Sequence, residues 1–398
     1  MYMDLKSFIK KQFPFSLPPI KLSQLSRTFI ERIIYQIHLG QKVSKKHIHD
    51  EILKPNTFPK TVDFNYIVDE IREQIENLPK IGKRYSFIIG DRPFNIYAIL
   101  PYSSRISSKS KIYDMLDAAI KKMYIWLYAA SYFASNDCSR ELTVYWYLTE
   151  HKKELPKNDV IYKVKSIEPI DQIHANTAFT LACPEASNFI YIFRKEEWFK
   201  VFIHESFHSL GLDFAKMPEN HTNHELFSMF SISCDVRFYE AYTEMWAEII
   251  CTLFDCLTEK SLTTIFKKME DQLNNERMFS IFQKAKVLNH HKIQYRELVG
   301  GLKGITKYKE STPAFSYYVL KCILMFSCND FIEWCAMKNK GTIAFKKTQV
   351  NILSLVDFIR NRYNDPIYMD AIRKFELWFS KTDYVGPEMD TMRMTVYA

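Results

Sequence analysis

One segment constrains this chain more than any other: Phe238-Tyr-Glu240-Ala-Tyr-Thr-Glu244-Met-Trp-Ala-Glu248-Ile-Ile250. Its glutamates recur at i, i+4 and i+8, which a helix sets along one face with a drift of about 40° per step. Between them stand Ala241, Met245, Trp246, Ala247, Ile249 and Ile250, so the same helix is apolar nearly all round. A helix of that kind is normally buried. Buried carboxylates are costly unless they are paired or bound to a metal. The stripe is therefore read as paired or metal-bound inside the core, with a solvent-facing acidic face as the alternative.

Upstream, Val201-Phe-Ile-His204-Glu205-Ser-Phe-His208-Ser-Leu-Gly211 contains H-E-x-x-H. At about 100° per residue, His204 and His208 fall one turn apart on the same face, so both imidazoles reach one ion. Glu205 lies about 100° round from His204. There it can approach a water at the ion without becoming a ligand, as a general base requires. Phe199, Ile203, Phe207 and Leu210 gather on another face and give the helix a separate core side. A β-run precedes this helix, and Gly211 is a natural residue to end it. Two histidines do not close a catalytic zinc site, which takes about three protein ligands and keeps one position open. The three glutamates are candidates for the third place, with His221 and His224 in the polar stretch between as rivals.

Composition narrows the class. Of 398 residues, 47% are hydrophobic and 25% charged, as expected of a soluble globular chain rather than a disordered one. Gly is scarce at 9, and no Gly-rich phosphate-cradling string is present. The net charge of +8 is uneven. Residues 1–50 hold nine Lys/Arg against three Asp/Glu, whereas residues 211–260 hold three against nine. The basic arm is a candidate contact for an anionic partner, nucleic acid or membrane. The eight cysteines form no C-x-x-C pair and are sparse for a disulfide framework. The opening Met1-Tyr-Met-Asp-Leu-Lys lacks the apolar core of a signal peptide, which together with the cysteines implies a reducing, cytoplasmic home. The most apolar stretch, Ala314 to Cys328, is interrupted by Lys321 and too short for a membrane span of about 20 residues.

The pattern along the chain predicts an α+β fold, mainly α, in three regions. Residues 1–83 read as basic and helical, with helices over roughly 23–39 and 63–78. Residues 84–260 carry the sheet and the site. A hairpin forms about Gly90-Asp91, a helix covers 111–132, and strands cover 142–148, 177–182 and 188–193. Two helices follow, from Glu196 to Gly211 and from Phe238 to Phe254. Residues 261–398 read as helices again, separated by Gly300-Gly301, Pro313 and Gly341.

H-E-x-x-H followed by E-x-x-A-E on a second helix resembles the gluzincin branch of zincin metallopeptidases, and among them the catalytic domain of anthrax lethal factor and its relatives. The likeness covers roughly residues 140–255. It implies a zincin-like core, a zinc ion held by His204, His208 and Glu244, Glu205 as general base, and Glu248 as an acid orienting a ligand histidine. Metzincins supply a third histidine six residues after the second, a position held here by Phe214, with Asp213 one residue off. In the lethal-factor pattern a Tyr seven residues before the ligand Glu assists the reaction; here that position is Arg237, with Tyr239 and Tyr242 near. The family binds extended peptide along an edge strand, for which His174 to Phe179 is the candidate by position. The Lys-, Ile-, Phe- and Tyr-rich texture is similar to that of proteins of large cytoplasmic DNA viruses. The expectation is a zinc metallopeptidase acting on a protein or peptide substrate. Its alternative is a catalytically inactive zincin-like scaffold or virion component.

Overall fold

Gly90 takes φ +60°, a conformation open to glycine without a Cβ penalty, and turns the chain between β2 (Lys80–Ile89) and β3 (Arg92–Pro101). Around this hairpin the computed structural model builds one mixed sheet. It describes every residue except 1–3, 45–46, 55–56, 60–65, 78, 102–108, 158–159, 162–163, 166, 219, 300–307 and 398. β1 (His49–Ile52) pairs antiparallel with β2, while β4 (Glu141–Thr149) runs parallel to β3. β5 (Val160–Ile161) and β6 (Val164–Lys165) form a separate small pair. β7 (Ala178–Thr180) lies antiparallel to β8 (Ser187–Arg194), which is itself parallel to β4. The sheet order is thus β1-β2-β3-β4-β8-β7, and β7 is an edge. The protein is α+β, 55% helix and 14% strand.

Alternation along the central strands buries both faces. Ile96, Val144, Trp146, Ile190 and Ile192 join the main apolar core, which is continuous from Leu5 to Met394. Tyr147, Tyr191 and Phe193 point the other way, onto a smaller cluster with Ile71 and Ile75 of a short helix. The first helices are α1 (Leu5–Gln12), α2 (Gln24–Val43), α3 (Asp69–Asn77), α4 (Lys109–Phe133) and the single turn α5 (Gln172–Ala175). Lys6, Lys10 and Lys11 of the basic arm are exposed on α1, whereas Lys21 and Arg27 close on the buried Glu270 at 3.0 and 2.9 Å.

The site helices are α6 (Trp198–Ser209) and α8 (Phe238–Cys256), with α7 (Asn220–Met229) between them. The rest of the chain is helical: α9 (Leu262–His290), α10 (Tyr295–Val299), a π-helical turn (Phe315–Leu320) running into α11 (Lys321–Phe326), α12 (Cys328–Lys338), α13 (Gln349–Arg360), α14 (Pro366–Lys381) and α15 (Pro387–Asp390). Among the described residues no helix is long and apolar enough to cross a membrane. Beyond α15 the chain threads through the interior. Met392, Met394 and Thr395 are buried, and Glu197 accepts the N–H groups of Met394 and Thr395 at 2.9 and 2.7 Å.

The expected hairpin, the strands 142–148 and 188–193 and the helices over 23–39, 111–132, 196–211 and 238–254 are present, within a few residues at their ends; of the helix expected over 63–78, Asp69–Asn77 is helical, while 63–65 and 78 lie outside the described residues. Two expectations need correction. His174 does not belong to the edge strand: its Nδ1 accepts the Asp171 N–H at 3.0 Å, closing the turn of α5, and the strand begins at Ala178. The cysteines, sparse for a disulfide framework, nonetheless include one bonded pair, Cys138 and Cys183.

Candidate metal centre

α6 is held at both ends. At its start Glu197 adopts φ +56°, a left-handed conformation that costs a non-glycine residue about 1–3 kcal/mol unless its surroundings fix it. They do so here through a buried ion pair with Lys153 and the two amides of the C-terminal segment. At its end Gly211 has φ +65°, and Leu212 N–H closes on Phe207 O at 2.8 Å. A Cβ at Gly211 would stand 2.5 Å from the Cys138 sulfur, so only glycine fits against the disulfide. Midway, Trp126 donates its indole N–H to Ser206 Oγ at 2.7 Å. Residues Phe199 to Ser209 are all buried, which fixes the direction in which the histidines point.

α8 packs against α6 and brings its first turn to the imidazoles. His204 Nε2 and His208 Nε2 lie 3.0 Å apart, and Glu240 Oε2 is 3.0 Å from the first and 3.2 Å from the second. The outer nitrogens have acidic partners of their own. His204 Nδ1 meets Glu244 Oε2 at 2.9 Å, and His208 Nδ1 meets Asp213. A carboxylate accepts, so each Nδ1 carries a proton, and each Nε2 lone pair, which takes a second proton in the absence of a metal, points at Glu240. Two Nε2 atoms and a carboxylate oxygen therefore converge on one buried point. Burial opposes charge on the rings, but Glu240 and the carboxylates behind them outweigh it and raise the ionisation of both histidines; a cation at the point would take the place of the Nε2 protons. Tetrahedral zinc, with nitrogen and oxygen ligands at about 2.0–2.2 Å, spaces its ligand atoms about 3.3 Å apart, close to the triangle found. His204, His208 and Glu240 are the one such group of three among the described residues.

The third donor is thus offered by Glu240, one turn earlier than the resemblance implied. Glu244 turns its carboxylate to the back of His204 and to Lys200 Nζ, 2.5 Å away. Glu248, expected to orient a histidine, lies a further turn down and meets Lys321 Nζ at 2.7 Å. The shift of one turn has a simple cause: equally spaced glutamates are equivalent in sequence, and only the depth at which α6 crosses α8 selects among them. Of the rival histidines, His224 is exposed on α7, beside Glu225; His221 is also on α7, and its side chain lies outside the described ones. Asp213 and Lys200 were not foreseen as parts of the site. Asp213 had drawn notice only for missing the metzincin position, and a lysine one turn before His204 carries no motif.

Glu205 lines the same cavity, about 350 Å³ in volume. Burial pushes its ionisation up, against the pull of His204 and His208. Glu240 and Glu244 go the other way. Burial opposes their charge, but His208 for Glu240 and Lys200 for Glu244 outweigh it, and both are held well below the ordinary carboxylate range. Tyr317, on the π-helical turn, walls the cavity with its ring 6.0 Å from that of His204. Burial, then Glu240 and Glu205, keep its hydroxyl protonated. Tyr239 stands edge-on to His208 at 5.6 Å, and Arg237 lines the mouth while pairing with Asp235 at 3.2 Å. Comparison with family models, curated proteins and solved structures finds no match for this chain, so the centre rests on its own geometry.

Proposed function

We propose that the protein is a zinc-dependent metallopeptidase with a zincin-like core of the gluzincin kind. The observation that carries this reading is the convergence of two imidazole Nε2 atoms and the Glu240 carboxylate beside a cavity that Glu205 also lines. Zinc bound by His204, His208 and Glu240 would polarise a substrate carbonyl and acidify water. The chain's own groups do the rest. Glu244 and Asp213 hold the Nδ1 protons and so keep both rings turned toward the ion. Glu205 takes the proton of the attacking water and returns it to the leaving amine. Tyr317 offers an O–H toward the negative charge that grows on the carbonyl oxygen. β7, whose outer edge faces the cavity, supplies backbone groups for an extended peptide.

The test is metal content together with turnover. The wild type should hold one zinc per chain, lost in His204→Ala and in Glu240→Ala but only weakened in Glu244→Ala. Glu205→Gln should keep the zinc and lose cleavage of unfolded casein. Zinc retained at full occupancy in Glu240→Ala would overturn the ligand set. Full casein cleavage by Glu205→Gln would overturn the mechanism.

A further inference from the structure

The cavity runs the length of β7, and every residue from Ala175 to Ala182 lines it. Side chains along this edge alternate. Ala178 and Thr180 register with Ile192 and Ile190 and face α6, whereas Phe179 registers with Tyr191 and faces the opposite side. There Phe179 stacks on Tyr191 at 5.1 Å and meets Tyr66 at 5.1 Å. The stack continues inward, Tyr191 to Tyr145 at 4.5 Å and Tyr145 to Tyr97 at 5.5 Å. Four strands thus contribute to a ribbon of rings that ends at the cleft. Two large apolar side chains stand open in the cleft wall, Tyr66 at 52% exposure and Leu181 at 46%. Leu181 stands directly after the last residue of β7.

We infer that this aromatic wall is a specificity subsite, and that the cleft selects an extended polypeptide carrying an aromatic side chain opposite Phe179. The inference rests on the peptidase reading for the occupant of the cleft. A chain that adds to β7 turns every second side chain toward Phe179, Tyr66 and Leu181. An aromatic ring in that place covers apolar surface now in water and extends the stack by one member, whereas alanine leaves the wall wet. The difference in buried area corresponds to a preference of about tenfold or more.

Two fluorescein-labelled octapeptides alternate threonine with phenylalanine in one and with alanine in the other, so that every pairing phase is sampled. Their binding to zinc-loaded Glu205→Gln protein is read by fluorescence anisotropy, where no cleavage intervenes. The phenylalanine peptide should bind at least tenfold tighter, and the ratio of the two Kd values should fall below threefold in Phe179→Ala and in the exposed-site variant Tyr66→Ala. Equal affinities, or a ratio unchanged in both variants, would overturn the subsite. Intact peptides after incubation with zinc-loaded wild type would instead overturn the peptidase reading, and the anisotropy ratio would still decide the subsite.

Discussion

Lys200 is the least conspicuous residue of the centre and the most informative to change. Its ammonium lies 2.5 Å from Glu244 Oε1, and the two side chains are 2% and 1% exposed. Lys200→Met removes one partner of a fully buried pair and leaves a carboxylate without its cation, a loss of about 3–5 kcal/mol. Unfolding entropy near 2.1 cal/mol/K per residue makes that about 4–6 °C in Tm for 398 residues. The double variant Lys200→Met/Glu244→Gln replaces both charges by neutral groups of similar volume and should recover all but about 1–2 kcal/mol. Zinc affinity should not recover with it. An amide holds the His204 Nδ1 proton more weakly than a carboxylate, and loss of such a partner weakens metal binding by about 10–100-fold. Calorimetric unfolding and competition with a chromophoric chelator read the two quantities separately. A double variant as unstable as the single one would refute the pairing argument. A double variant with wild-type zinc affinity would refute the positioning role of Glu244.

Three further outcomes follow from the geometry. Asp213→Asn, at the back of His208, should lower zinc affinity by about 10–100-fold in the same chelator competition while leaving the helical circular dichroism unchanged. Gly211→Ala should cost about 1–3 kcal/mol in urea unfolding, because φ is +65° there and a Cβ would meet the Cys138 sulfur at 2.5 Å. Lys284 stacks on Tyr295 in the interior, and burial lowers its ionisation from 10.5 to about 7. The unfolded chain therefore keeps a proton that the folded one releases, and between those two values stability climbs with pH. From pH 7 to 9 that climb is about 2 kcal/mol. Urea midpoints at the two pH values should show it in the wild type and not in Lys284→Met, and parallel curves for the two proteins would count against it.

Much of this architecture is legible in the chain. The hairpin about Gly90, the run Leu142 to Leu148 and the helices ending at Gly211 and near Cys256 follow from periodicity and punctuation, because local preference and burial agree there. The histidine pair and Glu205 are legible for the same reason: their spacing is itself the geometry. The third donor was not, since Glu240, Glu244 and Glu248 share one periodicity and the choice depends on how two helices cross. Asp213 lies in the turn after α6, where only the reversal at Gly211 directs it back at His208. Lys200, Lys153 and Lys321 read as surface residues by type, and each is buried against a glutamate brought from another element. Residues paired across the fold leave no pattern in a single stretch of sequence.

The threading of residues Thr391–Tyr397 gives the molecule an order of assembly. Glu197 and Glu276 receive backbone amides of Met394, Thr395 and Val396, and Lys321 donates to the carbonyl of Met394. During translation both histidines and the acidic helix emerge long before these residues do. Until then Glu197 lacks two of its three donors, and Lys153 alone holds the start of α6. The segment that completes the hydrogen bonding at the start of α6 is thus translated about 200 residues after the helix it steadies.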